Sequence, residues 1–200
     1  MNVLGHYWQL RDRFVEMRSP WLTLIGEHLQ DERGQVLEYW RIEKADSAVI
    51  LPILNGHLIL PTPNYRPGVG EPTLDFPGGR VAQGQSPSDV VRGILQREIG
   101  VASEEIAQIT PLNTQGWAVN SSFSNQKLYG FVVNLQPTAT IPANRIAATY
   151  PITQQGIHTL LQDLSCLQCR AVLMEWCTQE LLLPQALAQA VETQPISSIR

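Results

Sequence analysis

The chain has 200 residues, enough for one medium domain with its own core; 44% are hydrophobic, 16% are charged, and the net charge is −4. That balance excludes a disordered chain, which pairs low hydrophobicity with high net charge. The positive residues, mostly Arg with Lys44 and Lys127, form no basic cluster, which speaks against a nucleic-acid face, and no apolar run reaches the ~18 residues of a membrane span. No apolar leader with a small-residue cleavage site is visible, so cytoplasmic residence is expected.

In chain order, residues 1–20 read as coil or weak helix. Trp21–Gln30 is rich in strand formers, Asp31-Glu32-Arg33-Gly34 is a turn, and Gln35–Glu43 is a second extended run, together a hairpin. Ala48–Leu54 is apolar on both faces and predicts a central strand, turned back at Asn55-Gly56 into His57–Leu60. Residues 61–80 carry Pro61, Pro63, Pro67, Gly68, Gly70, Pro72, Pro77, Gly78 and Gly79, and read as one long functional loop. A helix follows, with Ser86 as N-cap, Pro87 at the first helical position and Val90, Val91, Ile94, Leu95 and Ile99 as its apolar stripe. Gly100 stops it. Strands are expected near Ala107–Leu112, Gln115–Val119 and Lys127–Asn134, with a polar loop over Asn120–Gln126. Helices are expected at Thr153–Leu164 and Leu167–Leu182, with a weaker stretch at Gln185–Glu192. This order predicts a mixed sheet with helices on both faces.

Cys166, Cys169 and Cys177 are odd in number, which argues against a disulfide framework. Cys166 and Cys169 have the C-x-x-C spacing of redox and zinc sites. The only nearby His is His158, and the apolar surroundings (Leu164, Leu167, Val172, Leu173) favour buried, inert thiols.

The segment Tyr65–Val101 resembles the Nudix hydrolase superfamily, in particular its ADP-ribose pyrophosphatase-like branch. The family box is G-x5-E-x7-R-E-U-x-E-E-x-G-U, with U aliphatic; Gly79, Leu95, Glu98, Gly100 and Val101 match it without a gap. Tyr65-Arg66-Pro67-Gly68 resembles the branch's Y-R-P-G turn, Phe76-Pro77-Gly78-Gly79 its L-P-A-G stretch, and Ser122-Phe123-Ser124-Asn125-Gln126 its G-F-S-D-E loop. The resemblance spans about residues 20–185. It implies a Nudix-type α/β/α sandwich with a mixed sheet and an N-terminal β-hairpin extension. The implied division is residues 1–45 as a dimerisation-type extension and residues 46–200 as the Nudix domain with C-terminal helices. It also implies a homodimer in which Trp21, Tyr39 or Trp40 reaches the interface, and hydrolysis of a diphosphate with Mg²⁺.

The departures from the box fall on its carboxylates. Gln85 stands for the early Glu, Gly93-Ile94 for the R-E pair, Arg97 for the first Glu of E-E, and Asn125-Gln126 for the later Asp-Glu. Mg²⁺ needs several oxygen ligands. A guanidinium beside the remaining Glu98 opposes it by on the order of several kcal/mol at an effective dielectric of ~20. The family route therefore looks disabled, with Glu98 as the sole catalytic or metal-binding remnant. Glu98 reads equally as an ion-pair partner of Arg97 or Arg80. Binding residues implied by the frame are Arg66, Gly78, Gly79, Arg80, Arg97 and Gln126: the glycines admit a ligand close to the backbone, and the Arg residues suit phosphate. Arg66 also reads as a brace for its own turn, and Trp117 and Phe123 as stacking candidates. Three functions remain open: a nucleotide-diphosphate binder with little or no hydrolysis, a weakened pyrophosphohydrolase using Mg²⁺ and carboxylates such as Glu71, Asp75 or Asp89, and a structural subunit.

Overall fold

The computed structural model describes residues 7–182. Three antiparallel strands come first: β1 (Gln9–Arg18), β2 (Thr23–Gln30) and β3 (Val36–Glu43), in the order β1-β2-β3. The expected hairpin is therefore a meander. β1 escapes a periodicity reading because its register slips twice against β2, between Leu10 and Asp12 and between Arg13 and Val15. It is also almost wholly exposed, so no alternation marks an inner face.

The second sheet is built on β4 (Asp46–Leu54), which pairs with β5 (His57–Pro61), β8 (Gly78–Val81) and, in parallel, β11 (Lys127–Leu135). β11 also carries β9 (Ile106–Pro111) and β10 (Trp117–Ala118), and β12 (Ile146–Pro151) closes the other edge against β5. β4 is thus central, as its double-sided apolar run implies. β12 is a short edge strand with alternating half-buried and exposed residues, too weak a pattern to stand out beside Pro142 and Pro151. The presumed loop 61–80 holds three strands: β6 (Asn64–Arg66) pairs with β7 (Glu71–Thr73), and Gly78 and Gly79 lie within β8, opposite Val49 and Ala48.

Alternation along β4 and β11 divides two cores. Ala48, Ile50, Phe131 and Val133 meet helix α1 (Asp89–Ile99) through Val91, Ile94, Leu95 and Ile99. Val49, Leu51 and Val132 meet α2 (Gln154–Asp163) and α3 (Leu167–Trp176) through Ile157, Leu160, Val172, Leu173 and Trp176. The result is a sheet between helical layers, the α/β/α sandwich expected. α1 starts later than its sequence suggests, because the Asp89 N–H bonds the Ser86 carbonyl in a preceding turn; Ser88 holds the N-cap position without a side-chain bond. Gly100 ends α1 at φ 75°, as expected of a C-terminal glycine. The second tail helix spans Leu167–Leu182 as expected, but at Cys177 it widens from α into a π-helical stretch, Cys177–Leu182. The stretch Gln185–Glu192 lies outside the described residues.

Thr153 caps α2 by accepting the Gly156 N–H at 3.1 Å, which draws Gly156 onto the end of β12. A Cβ on Gly156 would overlap the Pro151 carbonyl oxygen, which is backbone and cannot swing aside. Gly156→Ala is expected to cost at least the ~1–3 kcal/mol of an overpacked core site, read as a lower denaturant midpoint. An unchanged midpoint would contradict this packing.

Candidate functional site

A cleft of ≈ 1200 Å³ opens where β4, β8, the β6–β7 hairpin, the C-terminal end of α1 and the start of α3 meet. Arg66, Gly78, Gly79, Arg80, Arg97, Glu98 and Gln126 all line it. Residues 66 and 126 thus reach one space although the strands between them are laid out across the whole sheet.

Of the charged side chains just named, Arg66, Arg80, Arg97 and Glu98 each have a protein partner. Arg97 donates from Nε to Glu98 at 2.8 Å and from Nη2 to the Gly78 carbonyl at 3.0 Å, tying α1 to β8. Gly79 leaves room for that approach: a Cβ would stand 2.9 Å from the Ile94 side chain and 3.1 Å from the Arg97 guanidinium, and both would have to shift. The close contact made by this glycine is to α1. Arg66 grips Asp75 with two nitrogens, at 2.8 and 2.7 Å, and so braces its hairpin. Arg80 stacks over Trp21 at 4.6 Å and donates to the Trp21 carbonyl at 2.8 Å, so the first sheet reaches the cleft.

Lys44 and Arg145 also line the cleft and escaped the sequence reading. Arg145 donates to the carbonyl of Arg97 at 2.9 Å, closing the end of α1. No local pattern marks either residue. The cleft thus presents five cationic side chains and two carboxylates, Glu98 and Asp75, each carboxylate within an Arg ion pair. Of the alternative carboxylates, Asp75 lines the cleft; Glu71 and Asp89 do not.

The aromatic candidates sort differently. Trp117 packs against the α2–α3 core, and Phe123 lies outside the cleft lining, its carbonyl accepting the Ile42 N–H at 2.8 Å. Trp21 lines the cleft instead. Trp40 meets Phe14 edge to face at 5.3 Å, and Tyr39 donates its hydroxyl to the Ser122 carbonyl, so both have partners within the chain.

The cysteines depart from the expected inert set. Cys169 is buried, but Cys166 is half-buried and lines the cleft beside it, at the N-cap position of α3. The Cys169 thiol donating to Cys166 pulls Cys166 down to about 6, against the opposing effect of burial. Cys169 is pushed up by that same bond and by burial. Apolar neighbours in sequence misled here, because Leu167 faces solvent while Cys166 turns to the cleft.

No family model matches the sequence, and no curated protein matches it. Among solved structures, the crystal structure of an ADP compounds hydrolase superposes with a TM-score of 0.69 at 20% identity, over 89% of this chain and 95% of that one. The shared property at this identity is the fold, an α/β/α sandwich around a mixed sheet, which is the architecture that the box resemblance implied.

Proposed function

We propose that this chain binds a nucleotide-diphosphate ligand of the ADP-ribose type in the cleft and hydrolyses it little or not at all. The observation that carries this reading is the Arg97 guanidinium, bonded to both Glu98 and Gly78 where the family box has a second carboxylate. A cluster of Mg²⁺ ions does not fit the donors present, since two carboxylates, each sharing its oxygens with an Arg, offer too few oxygens for several such ions. An excess of cationic side chains suits a diphosphate without metal. The neighbour named as an ADP compounds hydrolase supports the same ligand class.

A thermal-shift series with ADP-ribose, ADP and related dinucleotides, in chelator, tests binding. A ligand at ~100 times its Kd stabilises by about 2.7 kcal/mol. For a chain of this size that is about 5–11 °C. No shift with any nucleotide would remove the reading and leave a structural subunit. The second reading, a weak pyrophosphohydrolase using Mg²⁺, is favoured by Asp75 alone, a carboxylate that lines the cleft from outside the box.

The same proposal takes residues 1–45 as a dimerisation extension to a domain of residues 46–200, in a cytoplasmic homodimer. Its support is the set of exposed apolar side chains on the first sheet and its flanks, among them Trp8, Leu10, Phe14, Met17 and Trp21. Sedimentation as a monomer at micromolar concentration would contradict it.

A further inference from the structure

At one side of the cleft three donors converge that the nucleotide reading does not use. Cys166 and Cys169 project from the first turn of α3, and Asp75 comes from the segment between β7 and β8. One donor atom from each lies within 4.8 Å of the other two. Cys169 Sγ is 4.0 Å from Asp75 Oδ1. Around a tetrahedral zinc, with Zn–S about 2.3 Å and Zn–O about 2.1 Å, neighbouring donors stand about 3.5–4 Å apart. The set is thus near ligating distance already.

The surroundings hold these donors in place. Asp75 Oδ2 accepts from Arg66 Nε at 2.8 Å, Arg66 Nη2 at 2.7 Å and Thr73 Oγ1 at 2.8 Å, which leaves Oδ1 turned to the thiols. The Phe76 N–H donates to Cys169 Sγ at 3.4 Å. Carboxylates anchored by a cation and sulfurs receiving backbone N–H bonds are the outer-layer supports of metal centres. Charge also closes: two thiolates and a carboxylate carry −3, which a divalent ion and Arg66 cancel. A carboxylate aimed at two thiols opposes thiolate formation by its charge, an opposition that a divalent cation held among the three removes. The donor types select the ion, because thiolates favour zinc-like metals over Mg²⁺.

The geometry points to Asp75, Cys166 and Cys169 as a three-donor site for a Zn²⁺-class cation, its fourth position open to the cleft. The site stands apart from the nucleotide reading and survives its failure.

Full-length protein, reduced and stripped with chelator, is titrated with Co²⁺ and then with Zn²⁺. The expected result is one cobalt per chain, with thiolate-to-cobalt charge-transfer absorption that Zn²⁺ abolishes. Cys177→Ser retains it. Cys166→Ser, at the half-buried N-cap position of α3, and Asp75→Asn each weaken binding more than about 100-fold, beyond the loss of a merely supporting group. Circular dichroism melts identify any variant that fails to fold, and Cys166→Ser then decides. The site is overturned if wild type gives no thiolate absorption, or if Cys166→Ser binds cobalt as wild type does. It is also overturned if the reduced protein ignores cobalt while air links Cys166 to Cys169, which assigns the pair to redox chemistry.

Discussion

Arg97→Glu is expected to lower affinity for ADP-ribose, measured by titration calorimetry in chelator, by about 10- to 100-fold. A hydrogen bond to a charged group contributes about 1.5–3 kcal/mol, and each 1.4 kcal/mol is a factor of ten. The substitution removes a cation that lines the cleft and sets a carboxylate beside Glu98. It also frees the Gly78 carbonyl, which Arg97 holds at 3.0 Å. Arg97 is more than half exposed, so the fold should tolerate the change. The carboxylate pair it creates supplies oxygen donors side by side, so the variant is expected to gain Mg²⁺ affinity as it loses nucleotide affinity. Unchanged nucleotide affinity would show that Arg97 serves only to clip α1 to β8.

The largest stability effect is expected at Phe131. It is 1% exposed, on a strand held by parallel β4 on one side and antiparallel β9 on the other. Its ring fills the layer beneath α1 with Ile50, Ile94 and Leu95. Strands paired on both sides cannot shift to close the space, so little of the cavity collapses. Phe131→Ala should cost about 3–5 kcal/mol, visible as a lower denaturant midpoint with unchanged slope. A loss below about 1 kcal/mol would mean that the α1 layer is loosely packed.

The central architecture was legible because it rests on burial. The apolar run of β4, the stripe of α1 and the left-handed Gly100 each carry a pattern that the fold cannot ignore. The first strand was not, because an exposed, twice-bulged strand carries charges on both faces and hides its period. The β6–β7 hairpin and β8 were masked by glycine and proline, which read as breakers although β8 uses Gly79 to let α1 approach. Within the cleft, the box frame identified Gly78, Gly79, Arg97 and Glu98 because they are near one another along the chain. Arg145 and Lys44 reach the same space through tertiary structure alone. The meeting of Asp75 with Cys169, 94 positions apart, has no local signature either. It follows from how α3 is laid against the β7–β8 connection.

A release assay on ADP-ribose, run with Mg²⁺ and with Mn²⁺ on wild type and on Glu98→Gln, tests the proposed absence of a metal cradle most directly. The account predicts turnover near background for both proteins with either ion. Vigorous cleavage by wild type that requires Mg²⁺ and disappears in Glu98→Gln would contradict it.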